Sequence, residues 1–240
     1  MAALKRRILA AFVVLLFGIG IVPRPADASF ELKLNYWPTT LTISRSSGQF
    51  GNWSTNLWGG DFRWTSDTSH WGIHLKYDTG SEGSWGGSYA GATGGTDRIW
   101  SGDLFYAWQL SMITVRGFVG WGDMRFESDF GAAGPQVLEA NGYRIGADAM
   151  FPVPNTGWAF NGSVAWYPST STSFSFLGFS STSNATASDY SASVQYMWPR
   201  GWLLEGGYRW VNTDTGALAG TVCPCTLHTS GPFFDLGYHW

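Results

Sequence analysis

The sequence predicts an all-β fold, a single up-and-down antiparallel barrel of ten strands with its apolar face turned outward. Three observations carry that expectation. Large apolar residues alternate with small or polar ones along most of the chain, with almost no 3.6-residue periodicity. Tight turns alternate with longer gaps rich in Gly, Ser and Thr. Trp100 and Trp108, Trp158 and Trp166, and Trp202 and Trp210 each lie eight residues apart on one face of one strand. Composition agrees: 17% of the 240 residues are aromatic and 13% charged, with 32 Gly and 15 Trp, which excludes a disordered chain or a coiled coil.

The first 28 residues have the form of a cleaved secretory signal. Lys5-Arg6-Arg7 makes a positive start, Ile8 to Val22 carries no charge, and Ala26-Asp27-Ala28 offers small residues to a peptidase cutting before Ser29. The expected mature chain, residues 29–240, keeps 10 basic and 16 acidic residues. That acidic balance leaves no basic stripe for nucleic acid.

Strand 1, expected at 30–43, turns Leu32, Leu34 and Tyr36 outward, then Leu41 and Ile43, a change of parity that predicts a bulge at Trp37-Pro38. Strand 2 (56–65) turns out Trp58, Phe62 and Trp64; after Asp67-Thr68-Ser69, strand 3 (70–78) turns out Trp71, Ile73, Leu75 and Tyr77. Strands 4 (98–110) and 5 (112–127) meet at Ser111 and present Trp100, Leu104, Trp108, Val119 and Trp121. Strands 6 (137–151) and 7 (157–167), joined through Pro152 to Thr156, present Tyr143, Ile145, Phe151, Trp158, Val164 and Trp166. Strands 8 (188–198) and 9 (201–212) turn at Pro199-Arg200 and present Tyr190, Trp198, Trp202 and Trp210; strand 10 (232–240) ends on Trp240. Gaps at 44–55, 79–97, 128–136, 168–187 and 213–231 are expected as long loops.

An apolar face this rich in Trp and Tyr is hard to bury in a soluble core, because each indole N–H and phenol O–H needs a partner. A bilayer accepts it. Eight residues at ~3.3 Å rise and a tilt near 40° climb roughly 20 Å, close to the ~25 Å band between two aromatic girdles. The expected girdle residues are Trp58, Trp64, Trp71, Trp100, Trp108, Trp121, Trp158, Trp166, Trp198, Trp202, Trp210 and Trp240. No charge falls on this face. The opposite parity carries Glu31, Lys33, Asp61, Arg63, His74, Lys76, Asp78, Asp103, Arg116, Arg144, Asp148, Glu205, Arg209, Asp235 and His239, an expected lumenal charge network. Glu31/Lys33, Asp61/Arg63, Lys76/Asp78, Arg144/Asp148 and Glu205/Arg209 place opposite charges on one face of one strand and are expected to pair.

The last strand, with Phe234, Leu236, Tyr238 and terminal Trp240, resembles the closing strand of bacterial outer-membrane proteins. The resemblance is to the class of small barrels that includes the OmpA transmembrane domain and the OmpX and Opa types; ten strands is the omptin number. It implies a multi-pass place in the outer membrane of a Gram-negative cell, the lipid bilayer as surroundings, and the barrel-assembly machinery as partner through that strand. No cofactor or metal is expected.

The favoured function is structural or surface-interacting, with a small passive channel as the alternative and an omptin-like rim hydrolase third. That last reading needs paired acids and a His at the outer rim, where Asp78, Asp97, Glu127, Asp129, Asp189, Asp214 and His228 are candidates with no singling-out spacing. Asp78-Thr79-Gly80 and Asp214-Thr215-Gly216 read as turn chemistry. Cys223 and Cys225 flank Pro224 and could form a strained disulfide in an oxidising compartment or pair between molecules; with His228 they make a weak metal set.

Overall fold

The computed structural model describes residues 28–45, 48–81, 85–87, 95–129, 135–176, 179–217 and 224–240. Residues 1–27 of the expected signal segment and Cys223 lie outside them. Ten long strands form one closed antiparallel sheet: β1 (Ala28–Arg45), β2 (Gly48–Ser66), β3 (Trp71–Ser81), β5 (Thr96–Leu110), β6 (Ile113–Asp129), β7 (Pro135–Pro152), β8 (Trp158–Phe176), β9 (Phe179–Met197), β10 (Trp202–Ala217) and β11 (Pro224–His239). A three-residue strand, β4 (Trp85–Gly87), adds to β2 beyond the span that β3 pairs. Each long strand pairs with its sequence neighbours, and β1 pairs with both β2 and β11, which closes the wall.

At the end of the barrel where Ala28 and Trp240 lie, the terminal end, four tight turns connect the strands, and each carries one residue at positive φ: His70 (61°), Ser111 (57°), Asn155 (59°) and Gly201 (89°). Outward residues follow the expected parity. Trp58, Trp71, Leu104, Trp158, Val164, Trp166 and Leu236 are all exposed. The Trp residues form two belts by register. Trp64, Trp71, Trp108, Trp158, Trp198 and Trp202 lie toward the terminal end, with Trp240 stacked on Phe30 there at 6.0 Å. Trp58, Trp100, Trp121, Trp166 and Trp210 lie toward the loop end. Edge-on Tyr rings knit the belts, as in Trp71–Tyr106 (5.1 Å), Tyr106–Trp108 (4.9 Å) and Trp121–Tyr143 (4.8 Å).

Three expectations are corrected. The first is the loops. Residues 48–55, 168–176, 179–187 and 213–217 are strand, and β1–β2 and β8–β9 stay paired as far as Arg45↔Gly48 and Phe176↔Phe179. Beyond the loop-side belt, the outward positions of β8 and β9 are Ser, Thr and Asn, so the apolar alternation that marks a strand stops while Thr-rich backbone still favours β structure. Ladder bonds, unlike apolar alternation, do not need lipid.

The second is the bulge. β1 runs in unbroken register against β2 from Ala28 to Ile43, and no shift occurs at Trp37-Pro38. Leu41 and Ile43 keep the inward parity of Glu31 and Lys33 and are buried. What changes across Trp37 is the interior, from charged to apolar. A register shift does occur in β8, between Tyr167 and Thr170 around Pro168, and the inward parity changes there. Pro38 stands opposite Pro232 in the β1–β11 seam, where the ladder lacks both backbone donors. Side chains staple that stretch: the Trp37 indole N–H donates to the Gly231 carbonyl (3.2 Å), and the Thr39 hydroxyl donates to that of Ser230 (2.9 Å).

The third concerns outward charge. The wall is uncharged between the belts, but beyond the loop-side belt β5 and β6 carry outward charges. Arg98 donates to Asp123 (2.9 Å), which also accepts the Trp100 N–H (2.9 Å), and Arg125 meets Glu127 (3.1 Å). Charge is tolerated there because water is available, whereas Arg in a lipid-facing midplane costs about 2–4 kcal/mol. Leu104→Arg and Val164→Arg should each lower stability by that amount, and Ser171→Arg, exposed beyond the belt, should leave it unchanged. Urea unfolding in vesicles checks this; equal losses at the three sites would mean the depth assignment is wrong.

Candidate functional site

The barrel interior has two storeys. Toward the loop end it is an apolar core in which Trp37, Leu41, Leu57, Tyr167, Met124, Val211 and Leu227 are fully or almost fully buried, with Trp53 and Phe126 in edge contact at 6.3 Å. Glycine makes the room: a Cβ on Gly122 would stand 2.8 Å from the Tyr167 ring. Toward the terminal end the interior is charged and encloses a cavity of about 290 Å³ whose lining reaches Ser29, Thr65, Met150 and His239 at the terminal rim.

Adjacent strands bring most of the charged residues together. Lys33 lies 3.0 Å from Glu31 and 2.7 Å from Glu205, and Arg63 lies 3.3 Å from Glu31. His74 sets its two ring nitrogens against Asp61 (2.9 Å) and Asp103 (3.5 Å). Arg116 holds Asp148 (2.5 Å), and Arg144 lies 3.2 Å from Asp103 with its guanidinium over the rings of Phe118 (4.9 Å) and Tyr167 (5.6 Å). Arg209 donates through Nε and Nη2 to Asp189 (3.0 and 2.7 Å), through Nη1 to Asp78 (3.1 Å), and covers Trp37 at 4.5 Å. Lys76 lies over the Phe233 ring, Asp235 accepts from Asn35 (2.5 Å), and His239 lines the cavity at its rim.

Of the five same-strand pairs expected, the structure forms Glu31/Lys33 alone among the described residues. Side chains two apart on a strand rise roughly 6.6 Å from one another, while neighbouring strands stand ~4.8 Å apart, so the nearer partner is across the ladder. Two rim candidates are also relocated. Asp78 and Asp189 are buried inside the barrel on Arg209. Asp189 shares inward parity with Ser191, Ser193 and Gln195, a pattern legible in the sequence. Parity does not give the partner: the Ser193 hydroxyl and the Asn161 amide (3.2 Å) both donate to Glu205, and only the folded register brings them there.

The remaining rim candidates do not assemble. Glu127 pairs with Arg125, Asp214 accepts from Thr226 (2.8 Å), and His228 meets Asn212 (2.5 Å). Among the described residues no three of His, Cys, Asp and Glu are placed to hold a metal. The expected Cys223–Cys225 pairing falls outside the described residues.

Asp97 is buried beyond the loop-side belt, and its Cα pairs across the ladder with Phe126. Burial pushes its carboxyl up to about 6, with Glu127 adding to the rise, while the Trp53 side chain and the Glu127 backbone pull the other way. An acid whose folded pKa is raised binds protons more tightly in the native state, so stability falls as pH rises from about 3.8 to about 6. The loss is on the order of 2–3 kcal/mol. Asp97→Asn should flatten that part of the stability–pH curve, measured by urea midpoints between pH 4 and pH 7; an unchanged slope would show that Asp97 titrates normally.

No family model matches this sequence, and no curated protein matches it. Solved structures do. The outer-membrane protease OmpT of Escherichia coli superposes with a TM-score of 0.58 at 9% identity, over 92% of this chain and 99% of that one. The translocator domain of the autotransporter NalP of Neisseria meningitidis gives 0.49 at 9% identity, over 99% and 97%. Ail, the attachment invasion locus protein of Yersinia pestis, gives 0.39 at 11% identity, over 89% and 99%. At 9% identity the likeness to OmpT is one of fold, the closed antiparallel barrel described above.

Proposed function

We propose that the protein is a non-conducting barrel, exported by its first 28 residues, that works as a structural and surface-interacting component of the outer membrane. The observation that carries the reading is the apolar storey of the interior. Trp37, Leu41, Leu57 and Tyr167 fill the lumen at close to zero exposure, and beneath them lies the layer of paired charges. A conduit needs a continuous wetted path, and an apolar constriction closes one by dewetting. The filled apolar storey supports no such path. The two Trp belts are the proposed anchors at the bilayer interfaces, and the strands extending past the loop-side belt supply the contact surface, whose outward Ser171, Ser173, Thr182, Asn184 and Thr186 are exposed. The terminal strand is the proposed handle for assembly.

The test is electrical. Full-length protein refolded into planar bilayers should give no steady single-channel current at physiological salt, and a stable ohmic conductance would replace this reading with a passive channel. OmpT is an outer-membrane protease. Here the acids that could serve such a role are dispersed or bound to Arg209, so no hydrolytic role is proposed.

A further inference from the structure

Two charges in the lumenal cavity stand outside the ion-pair network. Lys33, Arg63, Arg116, Arg144 and Arg209 each have a carboxylate within 4 Å. Lys76 does not. Its ammonium reaches from β3 past β2 and β1 to lie 5.9 Å from the centroid of the Phe233 ring on β11. Asp235, two residues further on and on the same inward face, is 4% exposed. It accepts one hydrogen bond from the Asn35 amide and has no cation within 4 Å among the described residues. Lys76, Phe233 and Asp235 all line the one cavity of about 290 Å³.

Asp235 is buried and Lys76 half-buried, each without an ion-pair contact among the described residues, and the two are of opposite sign with the Phe233 ring over one of them. We propose that the cavity binds a small zwitterion of the α-amino-acid class, its carboxylate on Lys76, its ammonium on Asp235 and its apolar side chain against Phe233. The volume lies at the lower end of small-molecule pockets (~300–1,000 Å³), which suits a single amino acid and leaves no room for a long peptide. The lining reaches the terminal rim, while the apolar storey closes the other way. The ligand therefore enters and leaves on the side of the termini. The barrel holds it without passing it on.

Isothermal titration of the refolded full-length protein with L-leucine tests this, with L-leucinamide supplying the ammonium alone and 4-methylpentanoate the carboxylate alone. One saturable site is expected for leucine, each analogue binding at least tenfold more weakly. Lys76→Met and Asp235→Asn should each weaken leucine at least tenfold while keeping the unboiled gel mobility of the wild type. The comparison of the three ligands on the wild-type chain needs no variant to fold. Absence of binding, equal binding of leucine and either analogue, or undiminished binding in a folded variant overturns the proposal. A water-bridged Lys76–Asp235 contact predicts the first of these.

Discussion

Arg209→Ala should lower the stability of the refolded barrel by about 3–5 kcal/mol, the loss typical of a buried ion pair stripped of one partner. Its guanidinium is 5% exposed, grips Asp189 with two donors and Asp78 with a third, and covers the Trp37 ring. Without it, two carboxylates remain buried with no cation in contact. The compensating change identifies the partner. Asp189→Asn in the same molecule should recover part of the loss. Glu205→Gln should recover none, because Glu205 is held by Lys33, Ser193 and Asn161 instead. Urea midpoints read from Trp fluorescence in vesicles measure all three, and a single variant as stable as wild type would mean that the pair is solvated and carries no load.

Trp37→Ala should cost a similar amount, about 3–5 kcal/mol, as the largest of the fully buried side chains. It differs from Arg209→Ala in what it does to the lumen. Trp37 stands where the charged storey meets the apolar one, and its removal joins the cavity below to the space it leaves. Current should then appear in a barrel proposed to pass none as wild type. Trp37→Phe keeps the ring over which Arg209 lies and loses the N–H that bonds Gly231, so it should weaken the seam and remain electrically silent. A silent Trp37→Ala of wild-type stability would remove the apolar storey as the barrier.

The lipid-facing half of the design was legible because it obeys one rule along its whole length. Between the belts each outward side chain meets hydrocarbon, so Leu104, Val164 and Leu236 announce their face by composition alone. Inside the barrel no single rule holds. Leu41 and Ile43 are as apolar as Leu34, and only the unbroken register of β1 shows that they point the other way. The ion pairs were illegible for a related reason. Lys33 finds Glu205 and Arg209 finds Asp78 through strand order and stagger, which alternation does not encode. Past the belts the strands read as loops in the sequence because Ser and Thr occupy the positions that Trp and Leu mark below.

The seam between β1 and β11 sets the order in which the molecule can come together. Its contacts span almost the whole chain: Trp37 to Gly231 is 194 residues, Asn35 to Asp235 is 200, and Lys33 to Glu205, reaching just past the seam, is 172. Loop closure over such separations is unfavourable until it is complete, and contacts of this kind dominate slow folding. Glu31 is met early by Lys33 and by Arg63 of β2, whereas Lys33 waits for β10 to bring its second carboxylate. Hairpins such as β5–β6 can form early and locally, but Lys33 stays half-neutralised and Asp78 without its guanidinium until β10 arrives. Neighbouring strands neutralise most of the interior as they pair, and the last contacts, Lys33 to Glu205 and Arg209 to Asp78, form together when the wall closes.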